Sequence, residues 1–166
     1  HRGGPLGVNG MNQTIERWLA HAGYISTQSP DYVGRPILIR KNDSEQELYN
    51  GDIGFIGEDD AYGTVAIFAS SGDEPYRRVP LGRLPTHQTV YAMTVHKSQG
   101  SQLTHALVVV PMEPSPLVTR ELLYTGITRA SKKVTMVGSE DTLRAGIGQG
   151  INRTSGLGEA IARATP

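Results

Sequence analysis

The chain has 166 residues, 16 basic and 16 acidic side chains, a formal net charge of zero and no cysteine. That length supports one good core, or one core with a small satellite. Balanced charge excludes a globally basic coat, so any nucleic-acid contact has to be local, and the lack of cysteine excludes a disulfide framework or a thiolate metal site and fits a cytoplasmic protein.

No apolar run reaches the roughly 18 residues of a membrane span, and the first residues do not form a signal peptide. The chain opens at His1 without a methionine, which suggests a piece of a longer protein. Arg2 to Gly10 holds four glycines and a proline and reads as a loop. Asn12 to His21 reads as a helix, because Met11, Ile15, Trp18, Leu19 and Ala22 recur at helical spacing and Gly23 is a fitting stop. Trp18 is expected to anchor a core rather than to stack on bases.

From Val33 to Gln88 the helical period disappears. Short strands are predicted at Pro36–Arg40, Ile53–Ile56, Thr64–Ser70 and Tyr76–Leu81, with Asn50-Gly51 as a hairpin-type turn signal. The acidic pairs Asp59-Asp60 and Asp73-Glu74 read as turn residues. Several short strands with turn signals at close spacing predict a small antiparallel barrel. The basic residues Arg35, Arg40, Lys41, Arg77 and Arg78 read as solvated surface, with a contact to DNA as the alternative.

The most informative stretch is Tyr91 to Gln102, YAMTVHKSQGSQ. A strand is predicted from Val90 to Val95, then a polar turn, then a fully buried strand at Ala106–Val110. A tight polar loop between strands is how an α/β domain presents ligand-binding groups at the carboxyl edge of its sheet. Lys97 supplies a cation, the hydroxyl and amide side chains supply neutral donors, and Gly100 lets backbone N–H groups approach an anion. Phosphate suits that set. A helix is predicted over Leu117–Ser131, burying Val118, Leu122, Leu123 and Ile127, and Val134–Gly138 reads as a buried strand. Ser139 can cap a short helix with Glu140 and Asp141 in its first turn. The glycines after it predict a flexible tail with at most one further short helix.

No GxxxxGK[ST] loop occurs, and neither acidic pair, Asp59-Asp60 or Asp73-Glu74, follows a hydrophobic strand as an Mg²⁺-binding carboxylate of an ATPase would. The chain therefore carries at most half of an ATPase site. The five histidines lack metal-binding spacing, and no carboxylate cluster suggests a nuclease.

TVHKSQGS (Thr94–Ser101) resembles motif V of superfamily 1 DNA helicases, and LLYTGITRA (Leu122–Ala130) resembles motif VI, in the family's order. RGGPLGVNGMN (Arg2–Asn12) resembles motif IV of the RecD branch, and SGLGEAI (Ser155–Ile161) the tail of the same branch. The resemblance implies an α/β fold: the second RecA-like (P-loop NTPase-type) motor domain, 1–32 and 89–166, interrupted at 33–88 by a small SH3-like β-barrel. It implies that Arg129 reaches the ATP γ-phosphate as an arginine finger, a planar and permanently charged fork that stabilises the transferring phosphoryl group. A plain helix C-terminal arginine is the alternative reading. Arg2, Gly100 and Gln102 would be further nucleotide contacts, with Gln102 standing where many relatives carry glutamate. Thr94, His96, Lys97, Ser98, Gln99, Ser101 and Thr125 would face single-stranded DNA, through its backbone and so without strong sequence preference. A structural role for His96 and core packing for Tyr124 are the alternatives. The family reading implies a 5′→3′ helicase, ATP and Mg²⁺, a separate N-terminal RecA-like domain with the Walker loops, and RecB-like and RecC-like partners in an exonuclease V that acts in double-strand break repair. A stand-alone RecD-like or relaxase helicase, and a non-catalytic DNA- or protein-binding module, remain as alternatives.

Overall fold

The computed structural model describes residues 7–150, except 71 and 73. Arg2, Asp73 and the Ser155–Ile161 motif lie outside the described residues. The chain divides into two compact units, with the division between Lys97 and Ser98. Among the described residues no helix is long and apolar enough to cross a membrane.

In the first unit, helix α1 spans Val8–His21 and starts four residues before the sequence pattern suggests. It ends on Gly23, whose φ of +76° accepts the left-handed conformation. The Tyr24 N–H donates to the Leu19 carbonyl at 2.9 Å and the Gly23 N–H to the Ala20 carbonyl at 3.1 Å, the paired bonds of a Schellman stop. Trp18 is not a core anchor: it is 62% exposed, and its ring lies 6.2 Å from that of Tyr24. The inward stripe of α1 runs through Val8, Asn12, Ile15, Glu16 and Leu19, which leaves Trp18 off it. Asn12 is the one buried residue of the helix.

Strands β1 (Pro36–Ile39), β2 (Ile53–Asp59), β3 (Gly63–Ala69), β4 (Tyr76–Pro80) and β5 (His87–Thr89) form one antiparallel sheet in the order β4-β3-β2-β1-β5. Its core is Ile37, Ile39, Leu48, Ile56, Ala66, Phe68 and Val79. Among the described residues the sheet is open rather than a closed barrel, because no ladder joins its two edge strands, β4 and β5. Gly54 has to be glycine: a Cβ there would lie 2.5 Å from the Ile67 carbonyl oxygen and 2.6 Å from the Phe68 ring. Asp59 is the turn residue expected, accepting from the Ala61 and Tyr62 N–H groups at 2.9 and 3.0 Å. Asn50-Gly51 does not close a tight hairpin. The β1–β2 connection is longer, with a bridge between Asp43 and Leu48 inside it.

In the second unit, strands β6 (Leu103–Val109) and β7 (Ala130–Val137) run parallel. Helix α2 (Arg120–Ile127) joins them and helix α3 (Glu140–Gly148) follows. Thr119 caps α2, its hydroxyl accepting from the Leu122 N–H at 3.2 Å, so the helix starts later than Leu117. Ser139 caps α3 as expected, accepting from the Thr142 N–H at 3.1 Å. Val108, Val110, Val118 and Leu123 form the core, with Val134, Met136 and Leu143 against it. Strand β6 is not buried on both faces: Ala106, Val108 and Val110 are buried, whereas Leu107 is 58% exposed. Val137 on β7 and Ile127 at the end of α2 are also exposed, against expectation. The cause is that both helices cover one face of a two-stranded pair.

Candidate functional site

The polar loop sits where the sequence suggests, but what leads into it is not a strand. Strand β5 stops at Thr89, residues 90–94 have no regular structure, and a 3-10 turn follows at Val95–Ser98. The apolar run Val90-Tyr91-Ala92-Met93 therefore lacks a ladder of its own, and other groups pair with its backbone at Val90 and Ala92. The Val90 N–H donates to the Pro36 carbonyl at 3.0 Å. Asn12 gives Ala92 a strand-like pair of bonds, its Nδ2 donating to the Ala92 carbonyl at 2.8 Å and its Oδ1 accepting from the Ala92 N–H at 3.0 Å.

Side chains hold the same segment. Arg35 Nε donates to Thr89 Oγ1 at 3.0 Å, and its Nη1 pairs with Asp31 at 2.8 Å. Arg35 is thus a structural cation and not solvated surface. The hydroxyls of Tyr91 and Tyr32 lie 3.0 Å apart, and Tyr32 donates to Glu16 Oε1 at 2.6 Å. Burial first, then the bond to Glu16, pushes the Tyr32 phenol well above its ordinary range. Arg77 and Arg78 are likewise paired, with Glu47 at 2.9 Å and with Asp59 at 2.9 Å.

Thr94, His96 and Lys97 belong to the first unit. The Lys97 N–H donates to the Thr94 carbonyl at 3.0 Å, which closes the turn, and His96 is exposed. Ser98 to Gln102, Thr125 and Arg129 belong to the second unit. The Ser101 N–H donates to the Ser98 carbonyl at 3.0 Å, and Gly100 between them has φ +86°. A side chain at Gly100 would meet nothing within 4 Å, so backbone conformation alone calls for glycine there. Ser98 is buried, and Gln99, Gly100 and Gln102 are exposed.

Arg129 lies two residues past the end of α2. Its Nε donates to the Thr125 carbonyl at 3.1 Å, its Nη1 to the Ser101 carbonyl at 3.3 Å and its Nη2 to Thr128 Oγ1 at 3.3 Å. The Leu103 N–H donates to the Arg129 carbonyl at 2.8 Å, so both main chain and side chain tie this arginine to the loop. The guanidinium therefore caps the carbonyl end of α2 and also spans to the polar loop. Thr125 and Thr128 donate their hydroxyl protons to helix carbonyls, at 2.7 and 2.9 Å, and so face outward only as acceptors. Tyr124 is 68% exposed and is not core.

The structure thus brings Ser101, Thr125 and Arg129 together and leaves Gln99 and Gln102 as free-standing loop side chains. Sequence reasoning missed Asn12, Tyr32 and Thr128. For Asn12 a signal was present: a carboxamide at helical spacing from the apolar residues Val8, Ile15 and Leu19. Among the described residues no group of three or more histidine, aspartate or glutamate side chains could hold a metal ion.

The family model described as the UvrD-like helicase C-terminal domain matches residues 89–137. The RecBCD enzyme subunit RecD of Mycobacterium tuberculosis is 44% identical over 95% of this chain and 27% of its own length. The ATP-dependent RecD2 DNA helicase of Deinococcus radiodurans is 29% identical over 83% of this chain and 19% of its own. The chain thus spans about a quarter of the length of the curated relatives it matches. A Pif1 helicase from Bacteroides, solved with ADP-AlF3 and single-stranded DNA, overlaps 80% of this chain and 33% of its own at 20% identity, with a TM-score of only 0.42. Residues 89–137 are therefore similar to the UvrD-like helicase C-terminal domain, in a chain similar to RecD subunits along nearly its whole length.

Proposed function

We propose that this chain is the second RecA-like motor domain of an ATP-dependent 5′→3′ DNA helicase, the RecD-like subunit of a RecBCD-type exonuclease V. The observation that carries the reading is the placement of Arg129. Its guanidinium is held by the end of α2 through Thr125 and by the polar loop through Ser101. A charged fork so fixed can report the state of a bound γ-phosphate to the loop that grips DNA. ATP and Mg²⁺ would lie between this domain and an N-terminal RecA-like domain that supplies the Walker loops. Arg129 would meet the γ-phosphate, Gly100 and Gln102 would contact the nucleotide, and Arg2 would be a second phosphate contact. Thr94, His96, Lys97, Ser98, Gln99, Ser101 and Thr125 would face the backbone of single-stranded DNA. Residues 33–88 would be an SH3-like insertion, a reading supported by the strand order β4-β3-β2-β1-β5 and by the 3-10 turn before its last strand.

The test is ATP hydrolysis by the longer protein with and without oligo-dT. Stimulation is expected, and it should vanish when the Walker lysine of the N-terminal domain is replaced. A protein that binds DNA but hydrolyses no ATP would overturn the motor reading in favour of a binding module. A pull-down separates the two helicase settings: RecB-like and RecC-like subunits are expected to co-purify, and a stable monomer that unwinds DNA would indicate a stand-alone helicase.

A further inference from the structure

Four consecutive residues before the polar turn are each held by a different long-range bond. Thr89 accepts from Arg35, the Val90 N–H donates to Pro36, the Tyr91 hydroxyl meets Tyr32, and Ala92 is paired on both sides by Asn12. Two of these holds lead back to one face of α1, because Asn12 and Glu16 stand one turn apart and Glu16 accepts from Tyr32. An irregular segment would normally turn its N–H and C=O groups to water. Here the Val90 N–H and both main-chain groups of Ala92 are matched within the fold, and Asn12 gives a buried carboxamide to the Ala92 pair. A packing role alone would be met by leucine or methionine at that helix position, without the risk of an unpaired polar group.

The next residues along the chain are Met93 and then the turn of Thr94, His96 and Lys97. We propose that Asn12, with the Glu16–Tyr32–Tyr91 chain, forms a collar that positions this turn, so that α1 fixes where its hydroxyl, imidazole and ammonium meet the phosphates of single-stranded DNA. Asn12 and Tyr91 are positioning residues: they act through the backbone of residues 91–92 and do not touch the strand. The inference rests on the reading of the 94–97 turn as a DNA contact. It adds that the grip of this turn depends on α1, a helix outside motifs V and VI.

The test uses the longer protein, as wild type, Asn12→Ala and Tyr91→Phe. Two quantities are measured: the oligo-dT concentration giving half-maximal ATPase stimulation, and hydrogen exchange of peptides covering residues 91–98. Asn12→Ala removes both bonds to Ala92, with a third to the Val8 carbonyl, and is expected to raise both quantities by about tenfold, while the KM for ATP and exchange in β2 and β3 stay within about twofold. Tyr91→Phe removes one hydroxyl bond and is expected to raise half-saturation about two- to fourfold; it also serves if the Asn12 variant does not fold. Faster exchange with unchanged half-saturation in both variants would show that the collar only stabilises, and unchanged exchange would show that it anchors nothing. A wild type whose ATPase ignores oligo-dT would remove the DNA reading itself, a result told apart by the wild-type curve alone.

Discussion

Replacing Arg129 by alanine separates catalysis from stability, because the structure bounds what the side chain contributes to the fold. Its three hydrogen bonds measure 3.1, 3.3 and 3.3 Å, long for N–H···O contacts, and the groups left behind are two carbonyls and a hydroxyl near the surface. Losing them should cost about 1–2 kcal/mol, since water can replace each partner in part. For a domain of this size that is a Tm lower by about 2–8 °C. An arginine on the transferring phosphate contributes about 10³-fold or more in kcat, roughly 4 kcal/mol. The second effect exceeds anything the first can produce in a sample held well below its Tm. The assay is initial-rate ATP hydrolysis by the longer protein at saturating ATP and oligo-dT, with DNA affinity measured in parallel. The expected result is kcat down by about three orders of magnitude with DNA affinity kept. Arg129→Lys keeps the charge but loses the fork that spans Thr125 and Ser101, and should recover less than about a tenth of the loss. A kcat within about threefold of wild type, alongside the lower Tm, would mean that Arg129 is only the C-terminal cap of α2.

Other consequences are as direct. Gly146→Ala places a Cβ 2.8 Å from Val118 Cγ1 and 3.1 Å from Leu123 Cδ1, so overpacking of about 1–3 kcal/mol should outweigh the gain in helix propensity, read as a lower urea midpoint. Ser139→Ala removes the acceptor for the Thr142 N–H and should cost about 1 kcal/mol in the same assay. Tyr32 keeps its proton in the fold above pH 10.0, where the unfolded phenol loses it. The unfolded chain then binds fewer protons, so stability should fall as pH rises past that point, and Tyr32→Phe should show a shallower decline in alkaline denaturation. A variant declining as steeply as wild type would contradict the buried placement of that hydroxyl.

How far the sequence could be read follows from where its patterns are local. Strands β1 to β4 were legible because alternation and turn residues are written in adjacent positions, as in the Asp59 turn. The Ser139 cap was legible for the same reason. The failures are non-local. Val90 to Met93 has the composition of a strand, yet its backbone partners are Asn12 and Pro36, which no window around residue 90 contains. Strand β5, His-Gln-Thr, has no apolar signal because it adds to the end of a sheet whose core is already filled by β1, β2 and β3. Helical spacing groups Trp18 with Ile15 and Leu19, whereas the helix turns Asn12 inward and leaves Trp18 exposed. At the candidate site, the identity of Arg129 came from motif resemblance. Its attachment to Ser101 came only from the fold.

The one-sided β6–β7 pair also has a colloidal consequence. Leu107 and Val137 stand exposed on the face away from the helices, and the chain has a formal net charge of zero. A surface with sticky apolar ground and no net repulsion loses the two ordinary defences against precipitation near neutral pH. Handled alone, the chain should be least soluble close to physiological pH and more tractable in buffers that charge it, a practical property set by the single layer of helices on its shorter sheet.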